Sequence, residues 1–248
     1  MSDLRSAWRI DNLRRAWAWI RSNPDGAFKS YFREVYTAYA IADEELLRHL
    51  ADRLRRNVFE PTDACKIFFP KPSGILRPYS LLAVEDQIVY QAMTNVVAEK
   101  LFPHVRHRYG KEVFGHMYAG TTTPWFYRRW SDGYKAFNKA AEAAFAGGFV
   151  WTASFDLTAF YDSIDHHVLR QMLSNIGIDP EFQERLSACL NKWTATSTQI
   201  YHNHGIPQGP LSSGLTAEVV LKHFDDLRAT RHDVKYFRYV DDIRLFAK

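Results

Sequence analysis

Cysteine is scarce in this chain of 248 residues. Cys65 and Cys189 are too few and too far apart for a disulfide framework, which fits a reducing cytosol better than an oxidising compartment. Also missing is any apolar run of about 18 residues, which excludes a membrane-spanning helix. The N-terminus, MSDLRSAWRIDNLRR, interleaves charges from its start and has no apolar core, which argues against export. There is no internal repeat, low-complexity tract or Ser/Gly linker, so a repeat array or a tethered pair of modules is not expected.

What is present is ordinary in amount and uneven in placement. Apolar residues make up 46% and charged residues 24%, enough to bury a core of one or two structural units. The net charge of +4 hides a gradient. Residues 61–140 carry 11 basic against 6 acidic side chains, whereas residues 141–248 carry 10 against 13. A basic segment joined to an acidic one suits a protein that grips a polyanion with one part and cations with another. From charge alone, solvated surface faces fit equally well.

Residues 1–60 read as helical. Asp43 is placed to cap a helix whose Leu46, Leu47, Leu50 and Leu54 share one face. Trp8, Trp17 and Trp19 read as core in preference to base-stacking platforms. Next, Cys65–Phe69 and Ile75–Tyr79 flank the turn chemistry of Pro70–Gly74, a hairpin with Lys66, Lys71 and Arg77 around its tip and edges. Asp86 to Leu101 reads as a helix with Ile88, Val89, Ala92, Met93, Val96 and Val97 on its apolar side and Pro103 beyond its end. From Arg106 to Gly148, Arg, Lys and aromatics interleave, which suits single-stranded nucleic acid and a helix with a core stripe equally. Within it, Ala136–Phe145 reads as a helix closed by Gly147–Gly148.

Three later segments carry the chemistry. Val150–Phe155 reads as a strand with Asp156 at its C-terminal end, and Thr152, Ser154 and Asp156 share one face. Ser163–Ile164–Asp165 then leads into a helix. In KYFRYVDDIRLFAK, Tyr236–Val240 and Ile243–Ala247 are both β-prone, leaving Asp241–Asp242 as a two-residue connection without the usual Gly. Adjacent carboxylates near apolar, aromatic strands repel and resist desolvation, and a divalent cation removes both costs. Asp225–Asp226 is also a pair, but its helical setting LKHFDDLRAT reads as an exposed face. In HGIPQGPLSSGLTAEVVLKHF, Gly205–Gly209 is a loop, Gln208 can donate and accept hydrogen bonds, and Leu215–Phe224 continues as an amphipathic helix. His202–Asn203–His204 spells a nuclease-like tripeptide without the rest of such a site. His104, His107 and His116 read as surface or RNA-facing rather than zinc ligands, and His166–His167 as a plain helix start.

Carboxylates on a strand and on a hairpin beside it meet the need of two-metal phosphoryl transfer, which holds two cations about 4 Å apart. Taken in order, the three segments resemble the reverse transcriptase family. DLTAFY from Asp156 is similar to its motif A, GIPQGPLSS to motif B and YVDD to motif C. PKPSGILRPYS followed by EDQIVYQAM is similar to its fingers segment, so the likeness covers about residues 61–248. The resemblance implies an α+β fold of the right-hand polymerase type, with fingers and a palm built from an antiparallel sheet with packed helices. The expected division is 1–60 as a helical N-terminal extension, 61–148 as fingers and 149–248 as palm.

The same resemblance implies that Asp156 and Asp241 are the main ligands of two Mg²⁺ (or Mn²⁺) ions, with Asp242 in support. Tyr161 would crowd the sugar 2′ position and select deoxynucleotides; Gln208 and Gly209 would line the base-pair pocket; Lys71 and Arg77 would approach the incoming triphosphate. Implied partners are an RNA template, a nucleic-acid primer and dNTPs, with a dedicated non-coding RNA and an oligomer both compatible and no membrane involved.

Within the family, Gly214 replaces the Pro that commonly follows the motif B Ser in intron-type enzymes, and an Ala217–Glu218 helix follows. Together with VFGHMYAG at Val113–Gly120, this looks more like the bacterial defence-associated (abortive-infection and unknown-group) enzymes than the intron or retron types. Family members continue beyond motif C with further palm elements, a primer grip and a thumb. The thumb is therefore expected to be absent from this chain, which would be a fragment or be completed by something else. A viral-type RNA-dependent RNA polymerase shares the palm and the Asp pair, but Tyr161 and the Tyr-Val before the aspartates argue against it. The alternative of another class is a non-enzymatic palm scaffold that binds RNA or assembles into oligomers, and retention of all three carboxylates argues against that.

Overall fold

Two short antiparallel sheets and the helices around them make up the α+β fold of the computed structural model, which describes residues 2–22, 32–70, 74–194, 203–228 and 233–248. The chain opens with helices α1 (Asp3–Ala7), α2 (Ile10–Ser22), α3 (Arg33–Ile41) and α4 (Asp43–Arg55). Leu47, Leu50 and Leu54 of α4 are buried, as the spacing predicts, while Leu46 lies at the margin. Trp8, Trp17 and Trp19 are core residues. Asp43 is not the helix cap: Ala42 holds that position, and the Asp43 carboxylate accepts a hydrogen bond from Trp17 Nε1 at 2.9 Å. The apolar face of α2 carries the indole N–H inward, where it needs an acceptor.

Strands β1 (Cys65–Pro70) and β2 (Leu76–Leu81) form the expected hairpin, with Cys65 opposite Leu81 and Pro70 opposite Leu76. Helix α5 (Val84–Val105) overruns its expected bounds at both ends, and Pro103 lies inside its last turn instead of beyond it. Near a helix end a proline forfeits little of the ladder. From Asp86 to Asn95 every residue of this helix is buried, polar residues included. Asn12 Nδ2 donates to Ala92 O at 2.9 Å, Asn95 Nδ2 to Asn12 Oδ1 at 2.8 Å, Gln91 Nε2 to Asn95 Oδ1 at 2.9 Å, and Ser212 Oγ to Gln91 Oε1 at 2.9 Å. This relay of amides lets one helix hold the N-terminal helices on one side and the Ser212 end of the later chain on the other, because each of these buried polar groups finds a partner.

The basic–aromatic stretch divides between core and surface. Tyr118 and Phe126 are core, whereas Trp125 and Trp130 are exposed. Helix α6 begins at Trp130, ahead of the predicted start, and runs to Ala146. The second sheet consists of β3 (Trp151–Asp156), β4 (Lys235–Tyr239) and β5 (Asp242–Ala247) in the order β3-β5-β4. Between β3 and β4 lie α7 (Phe160–Ser163), α8 (His166–Asn175), α9 (Pro180–Thr194) and α10 (Leu211–Arg228), the last beginning before the predicted Leu215. On one sheet face Phe237 and Phe246 pack with Phe137 and Ala141 of α6. Alternation turns Tyr236 and Arg238 to the other face, toward α10. Both faces are thus covered at β4 and β5, and β3 is exposed along its length. Among the described residues no helix is long and apolar enough to cross a membrane.

Candidate active site

Asp156 is the last residue of β3 and stands directly opposite Asp242, the first residue of β5. Such register partners have Cα atoms about 4.5–5.5 Å apart. Tyr239 flanks Asp242 from β4, so the two-residue turn is Val240–Asp241, not the predicted Asp241–Asp242. The shift has a backbone cause: Val240 takes the left-handed conformation, with φ of 57°, and returns the chain one residue early. Asp241 therefore sits in the turn, where its carbonyl accepts a hydrogen bond from Leu157 N at 3.3 Å and stitches the turn to the chain leaving β3. Asp242 Oδ2 lies 3.5 Å from Arg244 Nη2.

A β-branched residue at positive φ is strained and must be held by its surroundings. Two groups hold Val240. Gly115 backs the turn so closely that a Cβ there would lie 2.6 Å from Val240 Cγ2 and 2.7 Å from its backbone nitrogen. Arg238, fully buried, donates from Nη1 to Val240 O at 3.0 Å. The same guanidinium grips Glu218 at 3.0 and 2.8 Å and Asp225 at 2.9 and 2.7 Å. Asp225 is consequently not on an exposed face as its sequence setting predicts; it is buried, and Tyr236 Oη also donates to it at 2.6 Å. Its neighbour Asp226 pairs with Arg108 at 2.7 Å.

Tyr161 follows Asp156 by way of the short helix α7. Its carbonyl accepts from Ile206 N at 2.8 Å, and Ile164 O accepts from Gly205 N at 2.7 Å, which ties the chain after β3 to the Gly-containing loop. Burial, with the Glu218 and Asp241 carboxylates adding to it, raises the Tyr161 phenol far above its ordinary value, so it remains neutral. The Gln208 carbonyl accepts from Ser80 N of β2 at 2.7 Å, joining the loop to the first hairpin. Gly209 has φ of 120°, which residues with a Cβ avoid. Arg77 is exposed on β2, and its charge opposes the upward shifts of Asp241 and Tyr161, which places it within electrostatic reach of both. Lys71 lies outside the described residues, as does His202. Lys66 faces inward and donates to Ser80 Oγ at 2.7 Å, with burial pulling its ammonium down.

The donor chemistry of three carboxylates suits a hard divalent cation. Burial raises the Asp241 carboxyl above the ordinary carboxylate range, the charges of Asp156 and Asp242 raise it further, and Arg77 opposes them. A bound cation would reverse that balance. Among the described residues no three His, Cys, Asp or Glu side chains are already gathered tightly enough to enclose an ion.

Sequence reasoning missed the supports of this site. The available signals were a lone Arg in YFRYV and a lone Glu in LTAEVVL, each a charge in an apolar element. His104 and His107 are exposed as expected and His166 starts α8, whereas His116 is only partly exposed. His116 is largely buried against Gly214 and Tyr127, with burial pushing its imidazole down to about 4. His166 is buried with Nε2 2.6 Å from Gly205 O, so it braces the loop.

Comparison with known proteins bears on the family and the fold. The family described as reverse transcriptase (RNA-dependent DNA polymerase) matches residues 69–248. Protein YkfC of Escherichia coli (strain K12) is 23% identical over 191 residues, covering 75% of this chain and 46% of that protein. The chain thus spans less than half the length of that curated relative. Two solved structures, a partial Cas6-RT-Cas1–Cas2 complex and a Cas6-RT-Cas1–Cas2 complex, each align with the whole chain at a TM-score of 0.50 and 20% identity, over 38% and 24% of their own chains. At that identity the likeness speaks for the fold, here the fingers-and-palm arrangement of helices on an antiparallel sheet.

Proposed function

This chain belongs to the reverse transcriptase family, and we propose from that premise that it adds deoxynucleotides to a primer 3′ end on an RNA template, with Asp156, Asp241 and Asp242 holding two Mg²⁺ ions. The observation that carries the proposal is the register of Asp156 opposite Asp242 with Asp241 in the adjoining turn. When bound, the cations would assist the attacking 3′ oxygen and neutralise the leaving pyrophosphate; Mn²⁺ could replace Mg²⁺.

The chain's own residues divide the remaining work. Arg77, and Lys71 by its motif position, meet the triphosphate with positive charge. Tyr161, a neutral phenol next to the aspartates, crowds a ribose 2′-hydroxyl and admits deoxyribose. Gly209, lacking a Cβ, lets the nascent base pair approach the loop closely, and Gln208 is fixed beside it through its carbonyl bond to Ser80. In this reading residues 61–148 act as fingers, residues 149–248 as palm and residues 1–60 as a helical extension. The motif B pattern around Gly214 favours a role in bacterial antiviral defence, with which a dedicated non-coding RNA partner is compatible.

The test is Mg²⁺-dependent extension of a DNA primer on an RNA template. Asp241→Asn is expected to abolish extension and leave RNA affinity nearly intact. Preference for rNTPs over dNTPs, or unchanged extension by Asp241→Asn, would overturn the proposal. Sequencing the nucleic acid that copurifies with the protein identifies the template.

A further inference from the structure

We propose that Arg238 is a positioning residue that fixes the direction of Asp241 by tying the turn carbonyl of Val240 to helix α10; this rests on the reading of Asp241 as a metal-holding carboxylate. A guanidinium has five N–H groups, and here each one is used. Nε donates to Asp225 Oδ1, Nη2 to Asp225 Oδ2 and Glu218 Oε2, and Nη1 to Glu218 Oε1 and Val240 O. Four of these bonds join β4 to α10 and would serve packing alone. The fifth turns back to the hairpin itself, to the carbonyl of the residue before Asp241.

That residue needs holding. Val240 has φ of 57°, a conformation its branched side chain disfavours, and a relaxed Val240 would swing the Asp241 side chain away from Asp156. Gly115 also packs against the turn, where a Cβ would lie 2.7 Å from Val240 N, so both a bare backbone and a planar cation hold it. The planar fork matters as much as the charge. A lysine ammonium has three donors on a flexible stem and cannot span two carboxylates and a carbonyl at once. Because α10 begins directly after the Gln208–Gly209 loop, the same guanidinium links the nucleotide loop to the metal-holding turn.

The experiment is a Mn²⁺ titration of the full chain followed by electron paramagnetic resonance, with RNA affinity and near-UV circular dichroism measured alongside. Asp241→Asn should remove the tight Mn²⁺ sites. A folded Arg238→Lys should weaken Mn²⁺ binding by about tenfold or more, the usual loss when a group orienting a metal ligand is changed, with RNA affinity unchanged. If Arg238→Lys does not fold, Glu218→Gln replaces it, since it keeps side-chain shape and leaves one carboxylate facing one guanidinium; its Mn²⁺ affinity should fall likewise. Wild-type Mn²⁺ affinity in the folded variant tested, with Asp241→Asn lacking it, overturns the role of Arg238 alone. Wild-type Mn²⁺ binding by Asp241→Asn overturns the metal reading and this inference with it.

Discussion

Asp156 and Asp242 are register partners on neighbouring strands, each at the end of its strand nearest the Val240–Asp241 turn. Like charges directly opposite one another destabilise a sheet, and a third carboxylate in the same turn makes the arrangement costlier. Folding alone gives no reason for such a cluster. On the proposed reading bound cations would compensate these charges, and without them the stability of the protein should depend on pH.

The sign follows from Asp241, whose carboxyl is raised by burial first and then by Asp156 and Asp242. A carboxyl with a raised folded pKa favours folding when protonated, and that contribution is lost as pH rises from the ordinary carboxylate range through the raised value. At neutral pH without divalent ions, Asp241→Asn should therefore melt higher than wild type, with each kcal/mol worth about 2–4 °C in a chain of this size. Adding Mg²⁺ should raise the wild-type melting temperature and leave that of the variant nearly unmoved. A variant that melts lower than metal-free wild type at neutral pH contradicts the electrostatic account.

Tyr161 supplies a second expectation. It is held by the Ile206–Tyr161 backbone bond and by burial, so truncation should open space without displacing Asp156. Tyr161→Ala should relax discrimination against rNTPs by about 10–200-fold, the scale of one steric feature in a pocket, while Tyr161→Phe keeps it. Competitive incorporation of dCTP and rCTP on one template measures the ratio; equal discrimination by Tyr161→Ala removes Tyr161 from the sugar pocket.

How much of this could be read from the chain depends on the range of each interaction. The carboxylates were legible because strand alternation and local repulsion are short-range properties of FVWTASFD and YVDD. The exact turn was not, because two aspartates look like the polar connection, whereas Val240 at positive φ is held by distant Gly115 and by Arg238, itself anchored on Glu218 and Asp225 of α10. Asp225 was misplaced for the same reason: its partner Arg238 is on β4, and helical periodicity says nothing about it. The polar relay of helix α5 was not legible, because the partners that satisfy Gln91 and Asn95, Ser212 and Asn12, arrive from elsewhere in the chain.

Removing Arg238 outright tests the cluster as a structural element. Arg238→Ala leaves Glu218 and Asp225 buried without their cation, a loss of about 3–5 kcal/mol for a broken buried pair. Burial already raises the Glu218 carboxyl, and without the guanidinium it should rise further. Protonation then relieves the variant at low pH, so its deficit in melting temperature should be smaller at pH 5 than at pH 8. A deficit independent of pH would show that lost packing dominates over unpaired charge.

Gly214 is where the chain departs from the intron-type motif, and the structure supplies a steric reason. A Cβ at this position would lie 2.8 Å from His116 Cδ2, His116 Nε2 and Tyr127 Oη. Neither ring is free to retreat: the two pack together with centroids 5.1 Å apart, and Tyr127 Oη donates to Leu211 O at 2.9 Å. Gly214→Ala should therefore cost about 1–3 kcal/mol by overpacking, despite alanine's better helix propensity. Truncating the neighbour should restore part of that loss. In a double-mutant cycle, Gly214→Ala combined with His116→Ala should be more stable than the sum of the single effects, with a coupling of about 0.5–3 kcal/mol. Urea unfolding of the four proteins measures it. Strict additivity would mean that His116 is not what keeps residue 214 a glycine.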